Sequence, residues 1–304
     1  MNKIALILPY FGQWPKYSFL FFNSMVDQPF DLLCYSDHPI PFVSAKNIIH
    51  KSCSFQEFKA LIQKNLGIKI NLRNPYKLCD FKPTYGLVLS KDLKGYNFWG
   101  SIDPDVIMGN FIKFINYDSL TGIDVYSGIT SYLSGSFFLM RNNEICNNLF
   151  KKSKDWEVVF QSQAYMAFDE CGGHFFEALK AGQSIFSLST PIQSMTEVLL
   201  LEEKKQSIKV KWENSILESK SIKPVRIQQK QISFNGTEFL LLHLIYYKTK
   251  FYFYIPKHIN NKDFYYLNSL GYFNKKPNWI NITFSKNIFN AFKTKLLINI
   301  KKIC

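Results

Sequence analysis

Acidic residues are scarce in this chain of 304 residues, which has 23 Asp and Glu against 37 Lys and Arg and a net charge of +14. Glycine and proline are also sparse, at 14 and 12 residues, while 47% of the residues are hydrophobic. This composition excludes a disordered chain and a repeat array. It predicts a globular protein with one large core, or one core and a small appended unit.

Long apolar runs are missing as well. No stretch reaches the roughly 18 apolar residues of a membrane-spanning helix. The apolar start, Ile4 to Leu8, is too short for the core of a signal peptide and predicts a first β-strand. The six cysteines form no C-x-x-C pair and no disulfide framework. We therefore expect a cytoplasmic protein.

The basic charge is concentrated near the end of the sequence. Tyr272 to Cys304 contains seven lysines and no acid, and its apolar residues from Phe284 to Ile303 recur at helical spacing. A basic amphipathic helix can lie on an anionic membrane surface, and equally can pack its apolar stripe on the protein body. Both interpretations stay open. Nucleic acid is not an expected partner, because the segment lacks arginine and no binding module is recognisable.

The first hundred residues alternate between strand and helix patterns. Predicted strands cover Ile4–Leu8, Phe30–Tyr35, Lys46–Ile49 and Asn97–Ile102, and predicted helices cover Tyr17–Val26, a segment from the Ser54 cap to Leu66, and Tyr76–Leu93. Such alternation predicts an α/β domain with a largely parallel sheet. Ligands bind at the carboxyl ends of such strands. Asp37 and Asp103, which both follow strands, are therefore expected near a ligand.

The pattern changes after Gly109. Short strands are predicted at Asp124–Gly128 and Phe137–Met140, followed by a helix over Asn143–Lys152. The charged stretch Glu202–Lys230 has poor periodicity and is interpreted as a surface excursion. Two strand patterns joined through Asn235-Gly236 predict a hairpin. We predict a catalytic domain over residues 1–255 and a basic helical extension over residues 256–304.

The triplet Asp103-Pro104-Asp105 is the most informative motif. It lies between the apolar segments Asn97–Ile102 and Val106–Met108. Two carboxylates in apolar sequence are costly to bury unless a positive group neutralises them. A divalent metal that also binds a pyrophosphate is the usual solution, because hard cations take carboxylate and phosphate oxygens.

Several segments together resemble a known family. They are the run Tyr76 to Gly86, the run Gly95 to Gly100, the Asp103-x-Asp105 motif, the opening Ile7 to Gly12, and Ser134 to Asn142. They resemble bacterial proteins of surface-polysaccharide gene clusters, which are in turn similar to GT-A glycosyltransferases. The resemblance covers most of residues 1–180. It implies a GT-A-like, Rossmann-like sheet flanked by helices, here followed by a C-terminal hairpin and the basic helix.

The resemblance also implies roles for individual residues. Asp103 and Asp105 would hold Mn²⁺ or Mg²⁺ on the diphosphate of a nucleotide sugar, and His243 would complete the metal shell. Lys248 would contact the same diphosphate. The donor would be bound by residues of the first strand and loop, of the second strand, and of the segment before Asp103: Pro9, Tyr10, Phe11, Asp37, Lys77, Asp80 and Lys82.

Two of these assignments, and a further pair of candidate catalytic residues, have alternative interpretations from the residues themselves. Imidazole favours Mn²⁺ over Mg²⁺, but His243 lies amid apolar residues and can equally be a core histidine on a strand. Asp37 can be a loop aspartate. Asp169 and Glu170 precede Gly172-Gly173 and are candidate catalytic bases for the acceptor hydroxyl, although Asp169 can also cap a helix.

We therefore expect a metal-dependent glycosyltransferase that uses a nucleotide-diphosphate sugar, with a UDP-sugar favoured. Its acceptor would be a bacterial surface glycan or a lipid-linked glycan, as in capsule or lipopolysaccharide synthesis, reached from the inner face of the membrane. A nucleotidyl-transferring enzyme is one alternative, although Pro9 to Gly12 is not a Gly-rich phosphate loop. A non-catalytic component of a polysaccharide assembly pathway is the other.

Overall fold

The structure is a computed structural model that describes residues 3–41, 44–250, 253–256 and 264–277, together with Phe289 and Lys293. The strands are β1 (Ile4–Tyr10), β2 (Asp31–Ser36), β3 (Ile48–Ser52), β4 (Phe98–Ile102), β5 (Val106–Met108), β6 (Val125–Ser127), β7 (Phe137–Arg141), β8 (Val210–Trp212), β9 (Ile216–Leu217), β10 (Val225–Gln228), β11 (Gln231–Phe234), β12 (Thr237–Phe239), β13 (Leu241–His243), β14 (Phe264–Asn268) and β15 (Gly271–Phe273).

The α-helices are α1 (Ser18–Met25), α2 (Phe55–Leu66), α3 (Tyr85–Val88), α4 (Phe111–Phe114), α5 (Tyr117–Leu120), α6 (Glu144–Asn147), α7 (Trp156–Gln161), α8 (Phe176–Lys180), α9 (Met195–Lys204) and α10 (Ile245–Lys248). Three 3₁₀ helices cover Pro75–Thr84, Leu149–Lys152 and Ile185–Ser187. None of the helices in the described ranges combines the length and the hydropathy needed to cross a bilayer.

The chain divides into two compact units. The first comprises Met1–Trp14, Val26–Pro104 and Ile115–Asn214, and the second comprises Pro15–Met25, Asp105–Phe114 and the chain from Ser215 onward. The predicted boundary after residue 255 stays a prediction.

A seven-stranded sheet forms the centre of the first unit. Its order is β3-β2-β1-β4-β7-β6-β8. Strands β1 to β4 are mutually parallel, β6 and β8 are parallel to each other, and β7 runs antiparallel to both of its neighbours. The predicted α/β class with a mostly parallel sheet flanked by helices is therefore confirmed. Helices pack on the sheet through a buried cluster that includes Phe58, Ile62, Phe81, Tyr85 and Trp99.

Local sequence explains where the helices of this unit begin and end. Ser54 and Glu57 form the predicted capping box of α2, and Gly67 ends that helix in the left-handed region with φ 71°. The helix predicted over Tyr76–Leu93 is wrong in kind: the chain forms a 3₁₀ helix and then the short α3. Pro83 lies inside this segment and has no N–H to donate, which prevents a continuous α-helix.

The predicted surface excursion at Glu202–Lys230 is also wrong in part. Val210–Trp212 is the edge strand β8 of the large sheet, and β9 and β10 follow it. Each of these strands has four residues or fewer. A run this short gives little period-2 signal, so the charged residues around it dominated the sequence pattern.

The second unit contains two smaller sheets. One is three-stranded, in the order β5-β13-β9, and the other is five-stranded and antiparallel, in the order β12-β11-β10-β14-β15. Asn235-Gly236 joins β11 and β12 with φ of 51° and 83°, which confirms the predicted hairpin turn. Strands β14 and β15 lie at 264–273, inside the predicted helical extension. The predicted basic helix lies outside the described residues.

Candidate active site

The parallel strands of the first unit end at one edge of the sheet. There β1 ends at Tyr10, β2 at Ser36 and β4 at Ile102. Asp37 and Asp103 follow the last two strands directly, as predicted. The backbone N–H of Asp103 donates to the carbonyl of Ser136, 3.1 Å away, which holds the triplet against the loop that enters β7.

A buried lysine connects the carboxylates at this edge. Nζ of Lys82 lies 2.8 Å from Oδ1 of Asp103 and 3.3 Å from Oδ2 of Asp169, and it donates to the carbonyl of Gly135 at 2.7 Å. Burial alone would lower the pKa of Lys82, but Asp103 and Asp169 raise it well above its ordinary value. Lys82 therefore carries its positive charge between two carboxyl groups.

Asp169 is a buried acid of this unit. Its side chain is 1% exposed, and its Oδ1 atom accepts no hydrogen bond from the part of the chain that the structure describes. Burial raises its pKa well above the ordinary value, against the opposing effect of Lys82. Asp169 lies in the segment before α8, whose N-cap is Phe175, so it does not cap that helix. A carboxylate with a free oxygen and a raised pKa is suited to accept a proton.

Gly135 has no side chain, and this leaves room for the carboxylate groups of Asp169 and Glu170. Its backbone N–H donates to Oε1 of Glu170 at 3.1 Å. A Cβ atom at this position would lie 2.6 Å from Oδ2 of Asp169 and 2.8 Å from Cγ of Glu170. The Ser134-Gly135-Ser136 loop belongs to a segment of the family resemblance, but the close approach of Gly135 to Asp169 depends on tertiary contacts that no local pattern encodes.

Lys77 and Asp80 form a buried ion pair. Lys77 is 1% exposed and Asp80 is fully buried, with Nζ and Oδ2 2.7 Å apart. The Asp80 carboxylate also accepts the N–H groups of Met166 and Phe168 at 2.9 and 2.8 Å. Lys77 donates to the carbonyls of Val159 and Ala164. These contacts favour a structural role for both residues, which fasten the 3₁₀ helix to the segment 159–168.

The residues predicted to receive the nucleotide differ in environment. Pro9 and Tyr10 are half-buried at the end of β1, whereas Phe11 is 8% exposed and packs on Phe55 and Phe58. Asp37 is exposed, and its Oδ1 atom accepts the N–H of Gly12 at 2.8 Å. Partial burial would raise the pKa of Asp37, but the Gly12 N–H and His38 hold it below the ordinary value. Phe11 therefore belongs to the core, while Asp37 orders the loop after β1.

In the second unit, strand register aligns three ionisable residues. His243, the last residue of β13, pairs with Val106 of β5, and the N–H of Leu244 donates to the carbonyl of Asp105 at 2.8 Å. On the other side of β13, Leu242 pairs with Leu217, the last residue of β9. Asp105, His243 and Glu218 consequently lie side by side across the β5-β13-β9 sheet.

These side chains contact one another. Nε2 of His243 lies 3.2 Å from Oδ2 of Asp105, and Nδ1 lies 2.8 Å from Oε1 of Glu218. Nζ of Lys248 lies 2.7 Å from the same Asp105 oxygen. Burial alone would lower the pKa of His243, but the two carboxylates raise it from 6.5 to about 10. Burial acts to raise the pKa of Asp105, yet His243 and Lys248 hold it well below its ordinary value.

Asp103, Asp105 and His243 could hold a metal ion. Asp105 and His243 contact each other in the second unit, and Pro104 alone separates Asp105 from Asp103 in the chain. Oδ2 of Asp105 is buried and lies 3.2 Å from Nε2 of His243 and 2.7 Å from Nζ of Lys248. Two carboxylates and an imidazole suit Mn²⁺ or a similar cation. The donor set therefore fits a divalent metal, which would compete with Lys82 and Lys248 for the carboxylates.

Glu218 is the residue of this cluster that sequence analysis missed. It lies in the charged stretch 202–230, which has no clear periodicity, and its neighbours in sequence give no sign of a site. Only the parallel pairing of β9 with β13 places it beside His243.

Comparisons with known proteins identify the family of the chain. Residues 6–276 match the model of a family described as "Family of unknown function (DUF6625)". The chain belongs to this family. No curated protein matches it.

Among solved structures, the chain is similar to a galactosyltransferase, LgtC, in complex with donor and acceptor sugar analogues. The identity is 11% and the TM-score 0.34, over 55% of this chain and 71% of that one. For an active-site mutant of LgtC, the identity is 11% and the TM-score 0.34, over 64% of this chain and 83% of the LgtC chain. For the apo form of mouse xyloside xylosyltransferase 1, the identity is 8% and the TM-score 0.35, over 72% of this chain and 88% of the mouse chain. These are distant likenesses to glycosyltransferases, which leave the chemistry to be derived from the residues of this chain.

Proposed function

We propose that the protein is a metal-dependent glycosyltransferase that transfers a sugar from a nucleotide-diphosphate sugar, with a UDP-sugar favoured. The observation that supports this most directly is the contact of His243 and Lys248 with the Asp105 carboxylate, two residues after Asp103 in the chain. Two acids, an imidazole and a flexible cation are a suitable set for a site that binds a metal and a diphosphate. The proposal that the transferred group is a sugar rests on the resemblance of the N-terminal segments to GT-A proteins.

Asp103, Asp105 and His243 would hold the cation, with Mn²⁺ preferred to Mg²⁺ because imidazole is a ligand. The bound cation would supply positive charge for the departing diphosphate. Lys248 has one third of its side chain exposed. Its ammonium can therefore move from Asp105 to a phosphate oxygen and stabilise the negative charge that develops there.

Asp169 is the proposed proton acceptor. In the transfer, the bond between the anomeric carbon and the phosphate oxygen breaks and the acceptor oxygen bonds to that carbon. The proton of the acceptor hydroxyl passes to a carboxylate. Asp169 has a raised pKa and an oxygen that accepts no hydrogen bond from any described residue, and Lys82 lies 3.3 Å from its other oxygen. Glu170, held by the Gly135 N–H, is the second candidate for this role.

The acceptor is proposed to be a surface glycan under assembly, in free or lipid-linked form. The supporting feature is the basic segment from Tyr272, whose seven lysines can attract anionic lipids. Sedimentation with vesicles of anionic phospholipid tests the membrane contact. Removal of residues 280–304 should release the protein from the vesicles, and unchanged sedimentation would refute the contact.

The proposed activity is tested by Mn²⁺-dependent binding and slow hydrolysis of a panel of UDP- and GDP-sugars. The wild-type protein should bind at least one of them in Mn²⁺ and lose that binding in EDTA. Asp105→Ala should abolish both binding and hydrolysis. Asp92→Ala is the control, because Asp92 forms a half-exposed ion pair with Lys51 outside the site.

The outcomes separate the candidate functions. Hydrolysis that releases a nucleoside diphosphate supports sugar transfer, whereas release of a nucleoside monophosphate indicates cleavage within the diphosphate and a nucleotidyl-transferring enzyme. An absence of nucleotide binding by the wild-type protein would overturn the enzymatic proposal and leave a non-catalytic component.

A further inference from the structure

The three-stranded sheet of the second unit places a carboxylate behind the candidate metal-binding histidine. The order β5-β13-β9 brings Asp105 to one side of His243 and Glu218 to the other. The two ring nitrogens therefore have separate partners. Nδ1 lies 2.8 Å from Oε1 of Glu218, and Nε2 faces Asp105 at 3.2 Å.

This arrangement fixes the ring of His243 in two respects. A carboxylate is only an acceptor, so Nδ1 must carry a proton to donate to Glu218. Nε2 faces Asp105 and is the nitrogen that would give up its proton and offer a lone pair to a cation bound at that carboxylate. The pair is largely removed from water, with side-chain exposures of 7% for His243 and 13% for Glu218. At this burial a charge-assisted hydrogen bond is stronger and more directional than on the surface.

We infer that Glu218 is a positioning residue, which orients His243 and thereby sets the affinity of the site for a divalent metal. Histidine ligands of metals commonly donate their second N–H to a carboxylate, and the loss of such a partner typically weakens metal binding by about 10–100-fold. The inference rests on the proposed metal-dependent function. It goes further by assigning a role to a residue in a stretch of sequence without recognisable motifs.

The test compares Mn²⁺ binding to the full chain, measured by the electron paramagnetic resonance signal of free Mn²⁺. Glu218→Ala should raise the dissociation constant by about 10–100-fold. Glu218→Gln should raise the dissociation constant less, because the amide oxygen still accepts the Nδ1–H of His243. Glu238→Ala is a matched control: Glu238 lies in the same unit, is 14% exposed, and pairs with Lys113 and Gln231 away from His243. It should bind Mn²⁺ like the wild-type protein.

A double-mutant cycle separates positioning from general structural support. Because Glu218 acts through His243, Glu218→Ala should cause no further loss in a His243→Ala background. A merely structural role would cost affinity in both backgrounds. Proton NMR gives a readout that needs no metal: the wild-type protein should show a downfield, slowly exchanging Nδ1–H resonance of His243. This resonance should persist in Glu238→Ala and disappear in Glu218→Ala.

Failure of the inference differs from failure of the proposed function. If the wild-type protein binds Mn²⁺ and Glu218→Ala binds it equally well, the positioning role is wrong while the metal site stands. Additive losses in the cycle, or a His243 resonance that survives Glu218→Ala, also overturn the role. If the wild-type protein binds no Mn²⁺, the metal-dependent function fails and the role toward a metal fails with it.

Discussion

The ammonium group of Lys82 lies 2.8 Å from Oδ1 of Asp103. Because the same nitrogen also lies 3.3 Å from Oδ2 of Asp169, one buried cation contacts two carboxyl groups that come from distant parts of the sequence. Lys82 therefore connects the end of β4 with the segment before α8.

Replacement of Lys82 by methionine should destabilise the protein by about 3–5 kcal/mol, because it removes the cation that contacts the buried Asp169 and the partly exposed Asp103. Urea denaturation measures this change. Lys51→Met is the control. Lys51 pairs with Asp92 at 3.0 Å, but the two side chains are 39% and 34% exposed. An exposed pair of this kind should contribute about 0–1 kcal/mol. Equal losses in the two variants would contradict the central role of Lys82.

Asp80→Asn should reduce stability and leave nucleotide-sugar binding by the folded protein unchanged. The substitution leaves the Lys77 ammonium buried without its charged partner, which costs about 3–5 kcal/mol. The double variant Lys77→Met with Asp80→Asn should recover part of this loss, because neither charge then remains alone. Full stability with abolished donor binding would instead support the role that the family resemblance assigned to Asp80.

The sequence predicted the parts of the fold that depend on neighbouring residues. The β1 to β4 alternation, the capping box of α2 and the Asn235-Gly236 turn all have strong local signals, and all three are present. The carboxyl ends of parallel strands follow from the βα order, so Asp37 and Asp103 were located correctly at one edge of the sheet.

The rest of the site depends on pairings between distant segments. Glu218 lies beside His243 only because β9 pairs in parallel with β13, and a two-residue strand has no recognisable period. The closed Lys77–Asp80 pair depends on N–H and carbonyl groups some 80 residues away, which no local pattern encodes. Charged residues in a short motif can therefore be assigned to a ligand or to the fold only when their partners are known.

The stability of the metal-free protein should fall as the pH rises from about 6.5 to about 10. His243 has a folded-state pKa of about 10 against an ordinary value of 6.5, so the folded protein retains a proton that the unfolded chain releases in this window. Its contribution is complete below pH 6.5 and is lost as the pH rises through 10, with a slope of at most about 1.4 kcal/mol per pH unit.

Urea denaturation in EDTA at half-unit pH intervals measures this slope. His243→Gln removes the titrating ring, so the fall attributable to it should be absent from that variant. A decline of the same steepness in both proteins would show that other groups cause it and that the Asp105–His243 pair is weak.

Gly135→Ala should damage the activity more than the fold. The new methyl group would begin 2.6 Å from Oδ2 of Asp169 and 2.8 Å from Cγ of Glu170, so both carboxylates must shift. Overpacking of this kind costs about 1–3 kcal/mol, whereas a misplacement of about 1 Å at a reacting group can cost about 10²-fold in rate. Nucleotide-sugar hydrolysis in saturating Mn²⁺ measures the rate, and thermal unfolding measures the stability of the fold.

Gly122→Ala is the control, because a Cβ at Gly122 meets nothing within 4 Å and its φ of 69° causes only local strain. Wild-type hydrolysis by Gly135→Ala would exclude Asp169 and Glu170 from the reaction, because a carboxylate displaced at van der Waals contact cannot keep the position that proton transfer requires.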